Sequence, residues 1–177
     1  MRYPALLIVI GLILIPLSIR AYDVQLKEIP EVRVASLEYS GPFHMFTDAR
    51  EQLLSAMAEA GVKPQGHCLV IIHDYPKTSK EGKTGRFSAT ICYPIGDATV
   101  APDASFQVTI LNSATFLFLT YQDEYNGISE AYKALLDEAW KQDYLIVGDF
   151  REILITPAGI DTPPTVEVEL GVQKRTE

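Results

Sequence analysis

The 177-residue chain is 47% hydrophobic and carries 23 acidic against 15 basic side chains, so its formal net charge is −8. This composition suits one folded domain with a substantial core, and the acidic balance argues against a nucleic-acid-binding surface. Two cysteines and three histidines without ligand spacing predict neither a disulfide scaffold nor a metal site. Motifs for dinucleotides, nucleoside triphosphates and serine hydrolysis are absent from the sequence, so we predict no cofactor.

The chain opens with an uncharged run, Tyr3–Ile19, between two arginines. As a helix this run would be about 25 Å long, close to the roughly 30 Å of a bilayer core. Two interpretations stay open for residues 1–21: a signal-anchor that spans the membrane, or a signal peptide cut after Ala21. We expect the domain, residues 22–177, to be membrane-anchored and extracytoplasmic (periplasmic in a bacterium), or secreted if the signal is cleaved.

Hydrophobic alternation and turn residues divide the first half of the domain into two strands, a helix and two further strands. The predicted helix runs from about Asp48 to Ala60, with Asp48 and Glu51 as a capping box and Gly61 at its C-terminal cap. The four predicted strands are Val24–Ile29, Val32–Tyr39, Cys68–Tyr75 and Phe87–Tyr93.

The second half repeats this order of elements. A constant shift of 82 residues aligns Tyr39 with Tyr121, Leu53 with Leu135 and Gly66 with Gly148. The pattern predicts a duplicated ββαββ module with a pseudo-two-fold axis, helices on one face of the sheet and a ligand groove between the halves. The halves are about 24–95 and 104–172; the second has a helix at about Ser129–Lys141 and strands Phe106–Leu111, Thr115–Tyr121, Phe150–Thr156 and Thr165–Val172.

One acid interrupts the apolar pattern of GDFREILITP, the predicted strand at 148–157. Strand alternation places Phe150, Glu152 and Leu154 on the same face of this strand. Either that face lies at a wet sheet edge, or Glu152 lies in an apolar cleft, where it would need a cation, a donor or a proton. The 82-residue shift aligns Glu152 with Val70, so the acid distinguishes the two halves, which favours a site.

The cysteines have two open interpretations. If Tyr75 pairs with Arg86 across the intervening loop, Cys68 comes within one residue of lying opposite Cys92. Directly opposed antiparallel residues are close enough for a disulfide, and an exported domain would meet an oxidising environment. The alternative is a pair of small buried hydrophobic side chains.

Three segments together resemble the GyrI-like small-molecule-binding domain, also called the AraC-type effector-binding domain, over about Val24 to Val172. They are VQLKEIPEVRVASLEYSGPF, VIIHDYPKTSKEGKTGRFSATIC and FREILITP. The resemblance implies an α+β fold of duplicated SHS2-like modules, with an antiparallel sheet and a central cleft in which Glu152 faces lipophilic cations. It implies further ligand-binding aromatic residues in that cleft at Tyr121, Tyr125, Tyr39, Phe87 and Phe150.

Relatives of that family that regulate transcription join the domain to a DNA-binding helix-turn-helix, whereas here a predicted membrane segment precedes it. We therefore expect a membrane-anchored domain that binds a small, lipophilic, cationic ligand and has no nucleic-acid partner. One alternative is a protein-interaction domain at the membrane that uses its outer strands or the basic loop at 76–86. The other is a hydrolase in which Glu152 is the catalytic acid or base, because a few relatives hydrolyse cyclopropane-containing drugs with the cleft glutamate.

Overall fold

The computed structural model describes residues 22–74, 86–157 and 162–175. The apolar N-terminal run and the greater part of the basic loop lie outside these ranges, so the predictions made for them stay predictions. Within the described ranges, no helix is both long enough and apolar enough to cross a membrane.

The described residues form an α+β fold in which one antiparallel sheet carries two helices. In chain order the strands are β1 (Gln25–Ile29), β2 (Val32–Pro42), β3 (Cys68–Asp74), β4 (Arg86–Pro94), β5 (Gln107–Leu111), β6 (Ala114–Gln122), β7 (Tyr144–Thr156) and β8 (Thr165–Lys174). The helices are α1 (Phe46–Glu59) and α2 (Ser129–Lys141), each preceded by a short 3-10 turn, Phe43–Met45 or Tyr125–Gly127. The sheet order is β1-β6-β8-β7-β3-β4-β2-β5.

If each strand is replaced by its counterpart in the other half (β1 by β5, β2 by β6 and so on), the order is the same read from the opposite edge of the sheet. Several elements also keep the 82-residue shift: Gln25–Ile29 maps onto Gln107–Leu111, and the first 3-10 turn maps onto the second. At the centre of the sheet β3 pairs with β7, and Val70 lies directly opposite Glu152, the residue that the shift aligns with it. A two-fold axis relating the halves would therefore pass between these two residues.

Both helices pack on the same face of the sheet, as the sequence predicts. Helix α1 packs through Ala49, Leu53 and Met57, and helix α2 packs through a similar buried stripe. Each helix covers its own core cluster, and full burial of a Leu or Met side chain contributes about 1.5–3 kcal/mol. Leu154 on β7 packs against both clusters, so the two cores meet at the strand that carries Glu152.

The predicted starts of β7 and α1 need correction. Strand β7 begins at Tyr144, and Gly148 lies inside it, where the register with β8 shifts between Ile146 and Phe150. Gly148 has φ +81°, a conformation that glycine adopts without a Cβ penalty, so it marks an irregularity within the strand and not its start.

Helix α1 begins two residues before the predicted cap. Met45 is the N-cap residue and makes no side-chain hydrogen bond to the helix. Asp48 therefore lies in the first turn and not at the cap, and there its carboxylate interacts favourably with the positive end of the helix dipole. At the other end Gly61 has φ +70°, so the predicted glycine cap is confirmed.

Of the two interpretations of Cys68 and Cys92, the structure agrees with the pair of buried side chains, because both cysteines are free and buried. Residue Leu69, not Cys68, lies opposite Cys92. Because successive strand side chains alternate, this difference of one residue puts Cys68 in the core under α1 and Cys92 on the other face of the sheet. Burial raises the pKa of the Cys68 thiol to about 11 and that of Cys92 to about 12.

Candidate ligand-binding site

Glu152 is 1% exposed and lies near the centre of the sheet, on the face that the helices cover. Its neighbours across the strands are Val70 on β3 and Val168 on β8. Leu154, two residues further along β7, packs into the core beneath the helices. The carboxyl group therefore sits among apolar side chains, and the interpretation of Glu152 as a solvated residue at a sheet edge is wrong.

Two phenol groups hold this buried carboxylate. Tyr125, from the 3-10 turn before α2, donates a hydrogen bond to Glu152 Oε2, and Tyr132, from the first half of α2, donates one to Oε1. In the described part of the chain no lysine or arginine forms an ion pair with Glu152. The site thus satisfies the carboxylate's hydrogen bonds without supplying a countercharge.

Burial raises the pKa of Glu152 to about 7, and the hydrogen bond from Tyr125 opposes that rise. Near neutral pH the group therefore exchanges between a carboxylate and a neutral carboxylic acid. A phenol hydroxyl both donates and accepts hydrogen bonds, so the two tyrosines suit either state. A buried group that changes charge near pH 7 next to polar partners is a recognised mark of a functional site.

Aromatic rings extend the site from the second half of the domain into the first. The ring of Phe150 lies 4.6 Å from that of Tyr132, measured between centroids. The Tyr125 ring lies 5.5 Å from Phe43, whose ring is 5.3 Å from Phe87. These spacings are typical of favourable aromatic pairs, so two groups of rings lead away from the carboxylate, one through Tyr132 and one through Tyr125.

The structure brings some of the predicted ligand-binding residues together. Glu152 and Tyr125 are hydrogen-bonded, and Phe150 joins them through Tyr132. Phe87 does not contact this group directly, but its ring packs on Phe43, which packs on Tyr125. The ring of Tyr39 lies 6.3 Å from that of Phe87, measured between centroids.

Tyr39 and Tyr121, which the 82-residue shift aligns, make equivalent hydrogen bonds. The Tyr39 hydroxyl donates to the Pro42 carbonyl at 2.6 Å, and the Tyr121 hydroxyl donates to the Glu124 carbonyl at 2.5 Å. Each bond closes the turn that follows the tyrosine's own strand. For these two residues the contacts support a structural role, and their prediction as ligand-binding residues stays a prediction.

Sequence reasoning missed Tyr132 and Phe43 as members of the site. A signal for Tyr132 exists: it follows Ala131 and precedes Leu135 by three residues, on the buried stripe of α2. The aligned position in the first half is Arg50, so Tyr132, like Glu152, differs between the halves.

A second buried acid, Glu169, lies on the opposite face of the same sheet and differs from Glu152 in its partners. Its carboxylate is 2.6 Å from Lys27 Nζ, and Lys27 also lies 2.6 Å from Glu167. The neighbouring Arg151 places its guanidinium 4.4 Å from the Phe116 ring centroid. Burial raises the pKa of Glu169, and Lys27 opposes the rise. A lysine thus lies against Glu169, whereas among the described residues the polar partners of Glu152 are phenols.

The family model of the GyrI-like small molecule binding domain matches residues 22–173. The chain belongs to this family. The match covers all the helices and strands except the last residue of β8, and it includes both buried acids. A comparison with curated proteins gave no match.

Solved structures with the same fold have distant sequences. The EcmrR C-terminal domain aligns with a TM-score of 0.74 and 22% identity, over 87% of this chain and 99% of that one. A hydrolase encoded by lin2189 from Listeria innocua aligns with a TM-score of 0.65 and 8% identity, over 86% and 92% of the two chains. SAV2435 bound to tetraphenylphosphonium aligns with a TM-score of 0.57 and 13% identity, over 85% and 94%. At these identities the similarity concerns the fold alone.

Proposed function

We propose that this GyrI-like domain binds a lipophilic cation against Glu152. The observation that carries the proposal is a carboxyl group 1% exposed whose described partners are two phenols and no cation. Burying a carboxylate without a countercharge is costly, and the site reduces that cost by holding a proton near neutral pH. A bound cation would take the place of that proton.

The aromatic rings around Glu152 suit such a ligand. Two of them, Tyr125 and Tyr132, contact the carboxylate, and Phe43 and Phe150 pack against these two. Each face would add cation–π attraction of roughly 0.5–2 kcal/mol to the burial of apolar area. A flat or propeller-shaped aromatic cation matches both features better than a small hydrated ion does.

The carboxylate is covered in this structure, so the ligand must rearrange the site to touch it. Tyr125 and Tyr132 each donate a hydrogen bond to one of its two oxygens. A cation that approaches Glu152 would therefore displace at least one phenol hydroxyl and expel the proton. The structure solved with tetraphenylphosphonium supports this ligand class, because that ion is a lipophilic aromatic cation bound to the same fold.

The test is calorimetric titration of the purified chain with tetraphenylphosphonium and with neutral triphenylphosphine oxide as a probe of similar chemistry. Glu152→Gln keeps the shape and removes the charge, and should weaken binding of the cation by about 1–3 kcal/mol while leaving the neutral probe nearly unaffected. Glu169→Gln is the matched control, because it removes a buried carboxylate from the opposite face of the sheet and should not change either affinity.

Three results would contradict the proposal. Equal losses for both probes would assign Glu152 a packing role, and no loss for either would place it outside the site. Loss of turnover of a reactive substrate in Glu152→Gln, with binding retained, would favour the hydrolase alternative, for which a carboxyl of pKa about 7 beside phenols is a suitable general acid or base.

We further propose that the two halves are a duplicated module. The palindromic strand order, the 82-residue shift of the elements and the Val70–Glu152 pair support it. In such an arrangement the site lies beside the axis, and only one half supplies the acid.

The N-terminal run Tyr3–Ile19 supports a membrane anchor and an extracytoplasmic domain as the location of this site. Fractionation of cells that express the full chain, together with a reporter fused after Glu177 that works only in the cytosol, tests both parts. Recovery of the unprocessed chain in the soluble fraction would contradict the anchor, and an active reporter would reverse the topology.

A further inference from the structure

The two outermost strands of the sheet, β1 and β5, are related by the 82-residue shift but differ in charge. Where β1 has Lys27 and Glu28, β5 has Thr109 and Ile110. An outer strand exposes unpaired backbone groups, and charged side chains are a common means of preventing another chain from adding to it. β1 carries this protection, and β5 does not.

β5 is also apolar and accessible. On the face that the helices cover, Val108 is 40% exposed and Ile110 is 55% exposed. The strand pairs with β2 in an uninterrupted register from Gln107 to Leu111, so no bulge turns its free edge away. The sequence has no charged residue from Ala104 through Gln122, which includes this strand and its neighbouring turns.

We propose that β5 pairs with β5 of a second copy of the chain, antiparallel and centred on Thr109. In that register Val108 of one copy lies opposite Ile110 of the other, and the same contact repeats across the two-fold axis. Two apolar cross-strand pairs then shield each other on one face, and Thr109 meets its counterpart on the other. The sequence QVTIL is self-complementary in this sense, which favours a second copy over an unrelated partner.

The size and charge of this contact determine how the dimer should depend on protein concentration and on salt. Five residues a side is well below the 20–30 residues of a standard interface, so the dimer should form reversibly with concentration. Each copy carries a formal charge of −8, so repulsion between the copies should weaken the dimer at low ionic strength. Added salt should therefore strengthen it, whereas it would weaken a contact made by ion pairs.

Sedimentation of the full-length chain from micromolar to submillimolar concentration, in one buffer, is the first test. The wild type should show a monomer–dimer equilibrium, and Ile110→Glu and Val108→Glu should each weaken it at least tenfold. Leu26→Glu is the matched control, because Leu26 is aligned with Val108 and is 49% exposed on the other outer strand. A monomer at every concentration, a dimer unaffected in both β5 variants, or an equal loss in the control would overturn the proposal.

The second test probes the register. Directly opposed residues of an antiparallel pair have Cα atoms roughly 4.5–5.5 Å apart, which a disulfide can span. Thr109→Cys should therefore form a disulfide-linked dimer on mild oxidation. The wild type is the control, because its own cysteines are buried. Circular dichroism confirms folding of each variant, and a folded Thr109→Cys chain that dimerises without cross-linking would overturn the proposed pairing.

Discussion

Replacement of Glu152 by glutamine should remove a large part of the pH dependence of folding stability between about pH 4.5 and 7. Burial raises the pKa of Glu152 to about 7 from the ordinary 4.5, so in this range the folded chain keeps a proton that the unfolded chain loses. The stabilisation by this proton is fully present below about pH 4.5 and is lost as the pH rises through about 7. The pKa difference corresponds to a loss on the order of 3 kcal/mol.

Urea denaturation at pH 5 and pH 8 measures this change directly. At pH 5 the wild type and Glu152→Gln should have free energies of unfolding within about 1 kcal/mol, since a neutral acid and an amide are similar in shape and both suit the phenols. At pH 8 the variant should be the more stable by up to about 3 kcal/mol, because it has no charge to bury.

Glu169→Gln serves as the control for the same experiment. Burial also raises the pKa of Glu169, but Lys27 lies 2.6 Å away and opposes the rise. That variant should therefore keep the pH dependence that arises from Glu152. If the free energies of unfolding of the wild type and Glu152→Gln change in parallel from pH 5 to pH 8, the carboxyl does not titrate in a desolvated site.

Two further predictions concern ligand binding by Glu152 and the close approach of β7 to β8 at Gly171. Affinity for tetraphenylphosphonium should rise by up to about tenfold per pH unit as the pH approaches the pKa of Glu152, about 7, and should level off above it. Calorimetry in buffers of different protonation enthalpy should detect the proton that Glu152 releases. An affinity that does not change with pH would exclude exchange of the proton for the cation. Gly171→Ala should destabilise the fold by about 1–3 kcal/mol, because its Cβ would lie 2.2 Å from the Val147 carbonyl oxygen. Urea denaturation at constant pH measures this change. An unchanged midpoint would show that the backbone of β7 around Val147 moves away from the new Cβ at little cost.

Much of the fold could be predicted because its signals are local. Alternation within strands and the buried helix stripes depend on residues close in sequence, and the constant shift repeats those local patterns 82 residues later. For Glu152 the same means gave its face, shared with Phe150 and Leu154, and its difference from Val70, while its burial stayed one of two alternatives.

The features that could not be predicted depend on how separate elements meet. A register different by one residue places Cys92 opposite Leu69, and this difference decides between the two interpretations of the cysteines. The contact of Tyr132 with Glu152 depends on where α2 crosses β7, which no local pattern specifies. The irregularity around Gly148 likewise depends on the close approach of Val147 to Gly171 on the neighbouring strand.

The position of Glu152 beside the proposed axis explains why one half alone supplies the acid. Val70 and Glu152 face each other in the β3–β7 pair, so an acid in both halves would place two carboxylates in direct cross-strand contact. Like charges at that distance cannot both ionise in an apolar site, and one would stay protonated. A single acid leaves one charge, which suits the single cation that we propose as ligand. In the proposed duplicated module the other half contributes apolar surface through Val70 and an aromatic ring through Phe43, so the proposed site has one acidic side and one apolar side.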